Sequence, residues 1–255
     1  MKGMILAGGL ATRLRPLTWG TNKHLLPVYN KPMIYFPLES MKRAGVKEVL
    51  ITSSSNHIGH FADVLRSGEE FGLTLYFGVQ KNPKGGIADA ISYAEDFAKE
   101  DNLLVVLGDN IFNVDLKTVV NEFEKNSKGA IVYGVKADTA SRQYGVIEMD
   151  GSGKVVSIEE KPEKPKSDIA QTGIYMYDSR VFDFIRKLTP SDRGELEVSS
   201  LNNFYLEEGT LTCKLLDWWI DAGTSYDELL RANQMVAEKV KSGELSDAAE
   251  YKNRE

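Results

Sequence analysis

Several short stretches of this chain hold the residue types that handle phosphate and hard cations. In Leu6-Ala7-Gly8-Gly9-Leu10-Ala11-Thr12-Arg13-Leu14-Arg15-Pro16 an apolar run enters a Gly-Gly turn, and Lys23 follows ten residues after Arg13. Backbone N–H groups at such a turn can approach a phosphate with no side chain in the way. Arg13 can grip phosphate oxygens in bidentate fashion, and Lys23 adds a mobile point charge. Gly-Gly alone reads more simply as a surface turn; Thr12, Arg13 and Lys23 at the end of a first strand tip the balance toward phosphate. The spacing is neither G-x-G-x-x-G nor a Walker loop, which disfavours a dinucleotide dehydrogenase and a P-loop nucleotidase.

Asp109 follows the apolar run Leu103–Leu107, and ligands of open α/β sheets gather at the carboxyl ends of strands. Its hard oxygens suit Mg²⁺ beside phosphates, although a turn or helix cap explains it equally well. Asp221, in Trp218-Trp219-Ile220-Asp221-Ala222-Gly223-Thr224, could complete a metal site or merely shape a turn; Thr224 or Ser225 can open the next helix. The two aspartates lie 112 positions apart, and nothing in the sequence shows that they meet. Glu159-Glu160-Lys161-Pro162 has the form of a solvated charged run, yet it ends an apolar segment at a proline. There a carboxylate can accept from sugar hydroxyls while a lysine holds a phosphate. Gln80 and Gly86 sit in a polar loop before a helix, where an amide and free N–H groups can read a base edge. His24, His57 and His60 lack the spacing of a metal cluster. With no defensible Ser-His-Asp or Cys-His set, a covalent intermediate has no obvious nucleophile.

These residues need a scaffold, and the hydrophobic pattern supplies one. Met4–Ala7, Val49–Thr52, Leu73–Val79 and Leu103–Leu107 read as strands buried on both faces, as in a parallel sheet. Helices are expected at Tyr35–Ala44, His57–Arg66, Ile87–Ala98 and Leu116–Asn126, the first stopping at Gly45. In the second half Ala130–Val135, Gly145–Met149, Val155–Ile158, Gly173–Tyr177 and Thr210–Leu215 read as strands, with a hairpin turn at Asp150-Gly151-Ser152-Gly153. Val181–Lys187, Leu196–Leu206 and Tyr226–Ser242 read as helices, and the tail past Gly243 as a fraying polar end. The expected class is α/β: a Rossmann-like doubly wound mixed sheet with a small β-rich extension and a C-terminal helix.

Composition agrees with a soluble globular chain: 255 residues, 42% hydrophobic, 27% charged, with 31 basic against 37 acidic residues for a net charge of −6. That balance argues against wholesale attraction to nucleic acid or anionic lipid. No apolar run is long enough for a membrane span or a signal-peptide core. A single cysteine, Cys213, suits a reducing compartment, so a cytoplasmic location is expected.

Taken in order, the motifs resemble the sugar-1-phosphate nucleotidyltransferases. The glycine-rich opening and Asn22-Lys23-His24-Leu25-Leu26-Pro27-Val28 resemble the whole family. Lys31-Pro32-Met33-Ile34-Tyr35, Leu107-Gly108-Asp109-Asn110, Tyr144-Gly145-Val146, Glu159-Glu160-Lys161-Pro162, Thr172-Gly173-Ile174-Tyr175, Arg193-Gly194-Glu195-Leu196-Glu197 and Asp221-Ala222-Gly223-Thr224 narrow the similarity to its thymidylyltransferase branch.

The resemblance implies transfer of a thymidylyl group from dTTP to α-D-glucose 1-phosphate, with Mg²⁺ as cofactor and a homo-oligomer, a tetramer in relatives. It implies that Leu6, Gly8, Gly9, Thr12, Arg13, Lys23, Gln80, Gly86 and Asp109 bind the nucleotide. Asn110, Tyr144, Gly145, Glu160, Lys161, Gln171, Thr172 and Trp219 would take the sugar phosphate, and Asp109 and Asp221 the metal. Arg13, Lys23, Asp109, Lys161 and Asp221 would carry catalysis. It implies one nucleotidyltransferase domain over residues 1–240, nucleotide-binding to about 130 and sugar-binding from there to about 225, with 241–255 a polar tail. Three positions depart from the family pattern: Ala11 replaces a usual glycine, Gln171 a usual valine, and Val198-Ser199-Ser200-Leu201-Asn202 lacks a usual aspartate.

Overall fold

A computed structural model of the chain describes residues 1–126, 128–137 and 143–251. In chain order the elements are β1 (Lys2–Leu6), β2 (Pro27–Val28), β3 (Lys31–Pro32), α1 (Tyr35–Ala44), β4 (Glu48–Ser53), α2 (Ile58–Leu65), β5 (Thr74–Val79), α3 (Gly86–Ser92), α4 (Glu95–Ala98), β6 (Leu103–Leu107), β7 (Asn110–Phe112) and α5 (Leu116–Asn126). The second half adds β8 (Ala130–Lys136), β9 (Gly145–Met149), β10 (Val155–Glu160), β11 (Ile169–Tyr177), α6 (Val181–Ile185), α7 (Val198–Glu207), β12 (Leu211–Leu216), β13 (Trp219–Asp221) and α8 (Tyr226–Lys241).

β1 pairs in parallel with β4 and β6, and β4 with β5, which makes the doubly wound half. Along β1, Ile5 packs into the hydrophobic layer under α1 and α5, while Met4 and Leu6 pack into the opposite layer against α3 and α7. Burial on both faces is why these strands lack polar alternation. β11 then lies antiparallel to β6, and β8, β9, β10 and β12 extend the sheet from it. This is the mixed α/β sheet the sequence implied.

Three local differences from the expected elements are present. β11 starts at Ile169 rather than Gly173, because Gln171-Thr172-Gly173 interrupts the apolar run where the ladder to β8 shifts register. The expected helix Ile87–Ala98 is split into α3 and α4 around Tyr93–Ala94. The tail does not fray between 244 and 251: Leu245 is buried beside α8, Ser246 bonds to Lys31 and Glu39, and Tyr251 donates to Glu39 at 2.9 Å. Residues 252–255 of that expected tail lie outside the described residues. Elsewhere the expected caps hold. Gly45 closes α1 at φ +83°, and the Ser225 hydroxyl accepts from the Glu228 N–H to open α8.

Candidate active site

The carboxyl ends of β1, β5 and β6 face two joined chambers. The narrower, about 240 Å³, is lined by Leu6, Gly8, Gly9, Gln80, Gly86 and neighbours. The wider, about 360 Å³, is lined by Thr12, Arg13, Asn110, Tyr144, Gly145, Glu160, Lys161, Gln171, Thr172, Trp219 and Asp221 among others. Lys23 and Asp109 line both and mark the junction. Every residue singled out as a site candidate thus borders one of two contiguous spaces.

In the narrow chamber Gln80 explains Gly8. Gln80 Nε2 donates to the Asn82 carbonyl at 3.0 Å, so Oε1 is turned toward the chamber, and a Cβ on Gly8 would stand 2.0 Å from it. Gly86 has φ +90°, and a Cβ there would meet the Leu196 carbonyl at 2.5 Å. Only glycine fits both constraints at Gly86. His24, buried beneath the junction, is fixed by Asn22: its ring Nδ1 lies 2.6 Å from Asn22 Oδ1, which also accepts the His24 backbone N–H. His57 and His60 pair with each other at α2, away from both chambers.

At the junction the structure answers the question the sequence left open. β7 and β13 pair antiparallel with Asp221 opposite Asn110, and Ala222 N–H donates to the Asp109 carbonyl at 2.9 Å. Both aspartates are thereby delivered to one wall, with Lys23 Nζ bonded to Asp109 Oδ2. Gly223 passes so close that a Cβ would sit 2.4 Å from that oxygen. Asn110 is consumed as a hub: its Oδ1 accepts from Trp219 Nε1 at 2.6 Å and Gly173 N–H at 2.8 Å, and its Nδ2 donates to Asp109. Trp219 in turn stands edge-to-face with Tyr144, ring centroids 5.1 Å apart.

Two residues of α7, both within the stretch noted above for its missing aspartate, brace side chains that line the wide chamber. Ser199 of α7 donates to Glu160 Oε2, and Asn202, one helical turn on, donates to Gln171. Their i, i+3 spacing puts both on the buried face of α7. Lys161 has φ +44° and Ala11 φ +46°, left-handed conformations that cost a non-glycine residue about 1–2 kcal/mol.

Comparison with known proteins gives the family and the fold. The family model for Nucleotidyl transferase matches residues 2–239. The chain belongs to the nucleotidyl transferase family. It is 43% identical over 228 residues to the glucose-1-phosphate thymidylyltransferase of Neisseria meningitidis, covering 88% of this chain and 78% of that one. The Mycolicibacterium smegmatis protein of the same name is 43% identical over 241 residues, covering 92% of this chain and 82% of that one. A crystal structure from Bacillus anthracis, of a candidate glucose-1-phosphate thymidylyltransferase in complex with sucrose, superposes with a TM-score of 0.86 at 45% identity. It covers 92% of this chain and 94% of that one. A UDP-glucose pyrophosphorylase complexed with UDP-glucose shares the fold, with a TM-score of 0.80 at 22% identity over 93% of this chain and 98% of that one.

In this nucleotidyl transferase the junction charges are strongly interdependent. Burial opposes ionisation of Asp109, yet the Lys23 ammonium outweighs it and holds the carboxyl well below the usual range. Asp221 has the opposite fate: burial and the Asp109 charge push it up to about 7, with Lys23 only partly offsetting them. Burial alone would lower Lys23, but Asp109 and Asp221 keep it above its ordinary value. Two carboxylates that repel each other beside a phosphate-sized space form a donor set suited to Mg²⁺, which binds through one or two carboxylates plus substrate phosphates. Among the described residues no group of three or more His, Cys, Asp or Glu is placed to hold a metal ion. No described helix is long and apolar enough to cross a membrane.

Proposed function

We propose that this nucleotidyl transferase transfers a thymidylyl group from dTTP to α-D-glucose 1-phosphate, releasing pyrophosphate and forming dTDP-glucose. The observation that carries the reading is the junction: Lys23 and Asp109 stand where a nucleotide chamber and a sugar chamber open into each other, with Asp221 beside them on the wall of the wider one. The names of the relatives support the choice of substrates.

The base fits the narrow chamber on hydrogen-bond grounds. With its Nε2 engaged by Asn82, Gln80 offers an acceptor, which suits the N3–H of thymine or uracil and opposes the N3 lone pair of cytosine. The glycine turn and Arg13 would embrace the triphosphate; Arg13 has no carboxylate partner among the described residues and is free to bind the leaving pyrophosphate. Lys161, exposed at the opposite wall beside Glu160, would align the sugar phosphate. Gly145, Thr172 and Tyr144 would enclose the sugar, with Glu160 accepting from its hydroxyls.

A sugar-phosphate oxygen attacks the α-phosphorus in line, the bond from that phosphorus to the bridging oxygen breaks, and pyrophosphate departs with the electron pair. Asp109 and Asp221 would hold Mg²⁺, which when bound supplies charge neutralisation on the phosphate oxygens. The residues supply positioning and fixed positive charge, the two largest contributions open to phosphoryl-type transfer. Direct attack is in keeping with His24, the imidazole lining the narrow chamber, whose ring Nδ1 is engaged by Asn22. We place the enzyme in the cytoplasm as a homo-oligomer, a reading supported by family resemblance.

The test is pyrophosphate release by the purified protein with Mg²⁺, glucose 1-phosphate and dTTP, UTP, CTP, ATP or GTP separately. Fast, sugar-phosphate-dependent release with dTTP is expected. Release with another nucleotide alone would keep the reaction and overturn the base; silence with every nucleotide and every hexose 1-phosphate would overturn the reading in favour of a binding regulator.

A further inference from the structure

We propose that Gln171 is the side chain by which this enzyme selects its sugar phosphate, and that Asn202 and Tyr177 hold it in the orientation required. The inference rests on the reading that the wide chamber takes a sugar 1-phosphate. Gln171 borders that chamber although only 5% of it is exposed, at the point where β11 loses register with β8. A primary amide in such a place is stable only when its polar atoms are matched.

The matching runs in one direction. The Tyr177 hydroxyl donates to Asn202 Oδ1 at 2.7 Å, which turns the Asn202 amide nitrogen toward Gln171. Asn202 Nδ2 then donates to Gln171 Oε1 at 3.4 Å, which turns Gln171 Nε2 toward the Tyr175 hydroxyl, also at 3.4 Å. Tyr177 and Asn202 are fully buried, so they set this polarity without contact with solvent. Among the described residues the second N–H of Gln171 and the hydroxyl hydrogen of Tyr175 have no acceptor, and both residues line the chamber. The wall therefore presents donors.

The ligand that completes it is a sugar 1-phosphate with a hydroxyl oxygen against this wall. An aliphatic side chain would accept a hydroxyl or a hydrogen there almost alike. A site built to bond an oxygen rejects the analogue lacking it, because its own buried donors are then left unmatched. Gln171 thus sets discrimination against a deoxysugar 1-phosphate at one ring position. Asn202 is a positioning residue, acting through Gln171.

The experiment measures kcat/KM for glucose 1-phosphate and its 2-, 3-, 4- and 6-deoxy analogues, with dTTP and Mg²⁺, in wild type and Gln171→Leu. In wild type one analogue should fall about 30-fold or more below glucose 1-phosphate. In Gln171→Leu that single ratio should shrink to about 5-fold or less, through loss of the parent sugar, with the other ratios and the KM for dTTP unmoved. Asn202→Ala should compress the same ratio in part, a change confined to one analogue that a general loss of structure would not produce. Should Gln171→Leu not fold, Gln171→Met keeps the length of the side chain, removes both the amide donors and the acceptor, and carries the same expectation. Identical ratios in wild type and variant, or an equal loss on every sugar, would overturn the inference alone. A wild type that used all analogues within about 5-fold would do the same. A wild type inactive with every sugar phosphate would overturn the proposed function and this inference with it.

Discussion

Asp221 faces Asn110 across the two-strand ladder of β7 and β13, and this pairing brings it beside Asp109. The ladder is short, three residues on each side, but Ile111 and Ile220 are buried within it and anchor both strands against α8. Two carboxylates on one wall are held there by backbone bonds and apolar packing, not by attraction between the groups themselves.

That arrangement separates function from stability. Asp221→Asn removes a repulsive neighbour of Asp109, so the metal-free protein should melt at the same or a higher temperature while kcat falls about 100-fold. Asp109→Asn removes the hydrogen-bonded partner of the enclosed Lys23 ammonium, leaving only Asp221 as counter-charge, and should cost about 3 kcal/mol as well as turnover. Calorimetry alongside pyrophosphate release distinguishes the two; equal destabilisation by both variants would refute the assignment of charges.

Gly8→Ala places a methyl on the Gln80 amide. Because Gln80 can swing aside, the fold should survive within about 1 kcal/mol, while the KM for dTTP rises about 10-fold. An unchanged KM would show that the Gln80 carbonyl does not contact the base.

Lys161→Ala should chiefly raise the KM for glucose 1-phosphate, about 10-fold or more, with the KM for dTTP little changed. An unaltered rate at low sugar phosphate would count against its proposed contact.

His24 links stability to acid. Burial, and secondarily the Lys23 charge, lower its pKa to about 3, so the folded protein keeps the ring neutral while the unfolded chain takes up a proton near pH 6.5. The unfolded state binds more protons between those values, so stability falls as pH drops below about 6.5. Relative to pH 7.5, the loss attributable to His24 should be about 2 kcal/mol at pH 5. Urea unfolding of wild type and His24→Gln across that range measures it as the difference between the two curves; parallel curves would show that His24 is not the group responsible.

Leu245→Ala tests the ordered tail. Leu245 is 4% exposed, so its truncation should cost about 2–3 kcal/mol. A fraying tail would leave the unfolding midpoint unmoved.

The sequence by itself determined what depends on near neighbours. The run from Met4 to Ala7 followed by Gly8-Gly9 specifies a buried strand and a tight turn, and Gly45 and Ser225 terminate and start their helices through local backbone chemistry. The order of strands and helices likewise follows from short-range hydrophobic period. The tertiary structure decided everything that depends on register between distant segments. β7 was invisible because Asn110-Ile111-Phe112 is too short to show a period, and it becomes a strand only when β13 lies against it. The tail looked free because its polar residues find partners, Lys31 and Glu39, some two hundred positions earlier. The direction of the Gln171 amide is set by Tyr177 through Asn202 on another element. Local preference costs little entropy to express and can be read residue by residue; side-chain proximity is settled only when the whole sheet closes and loop entropy has been overcome.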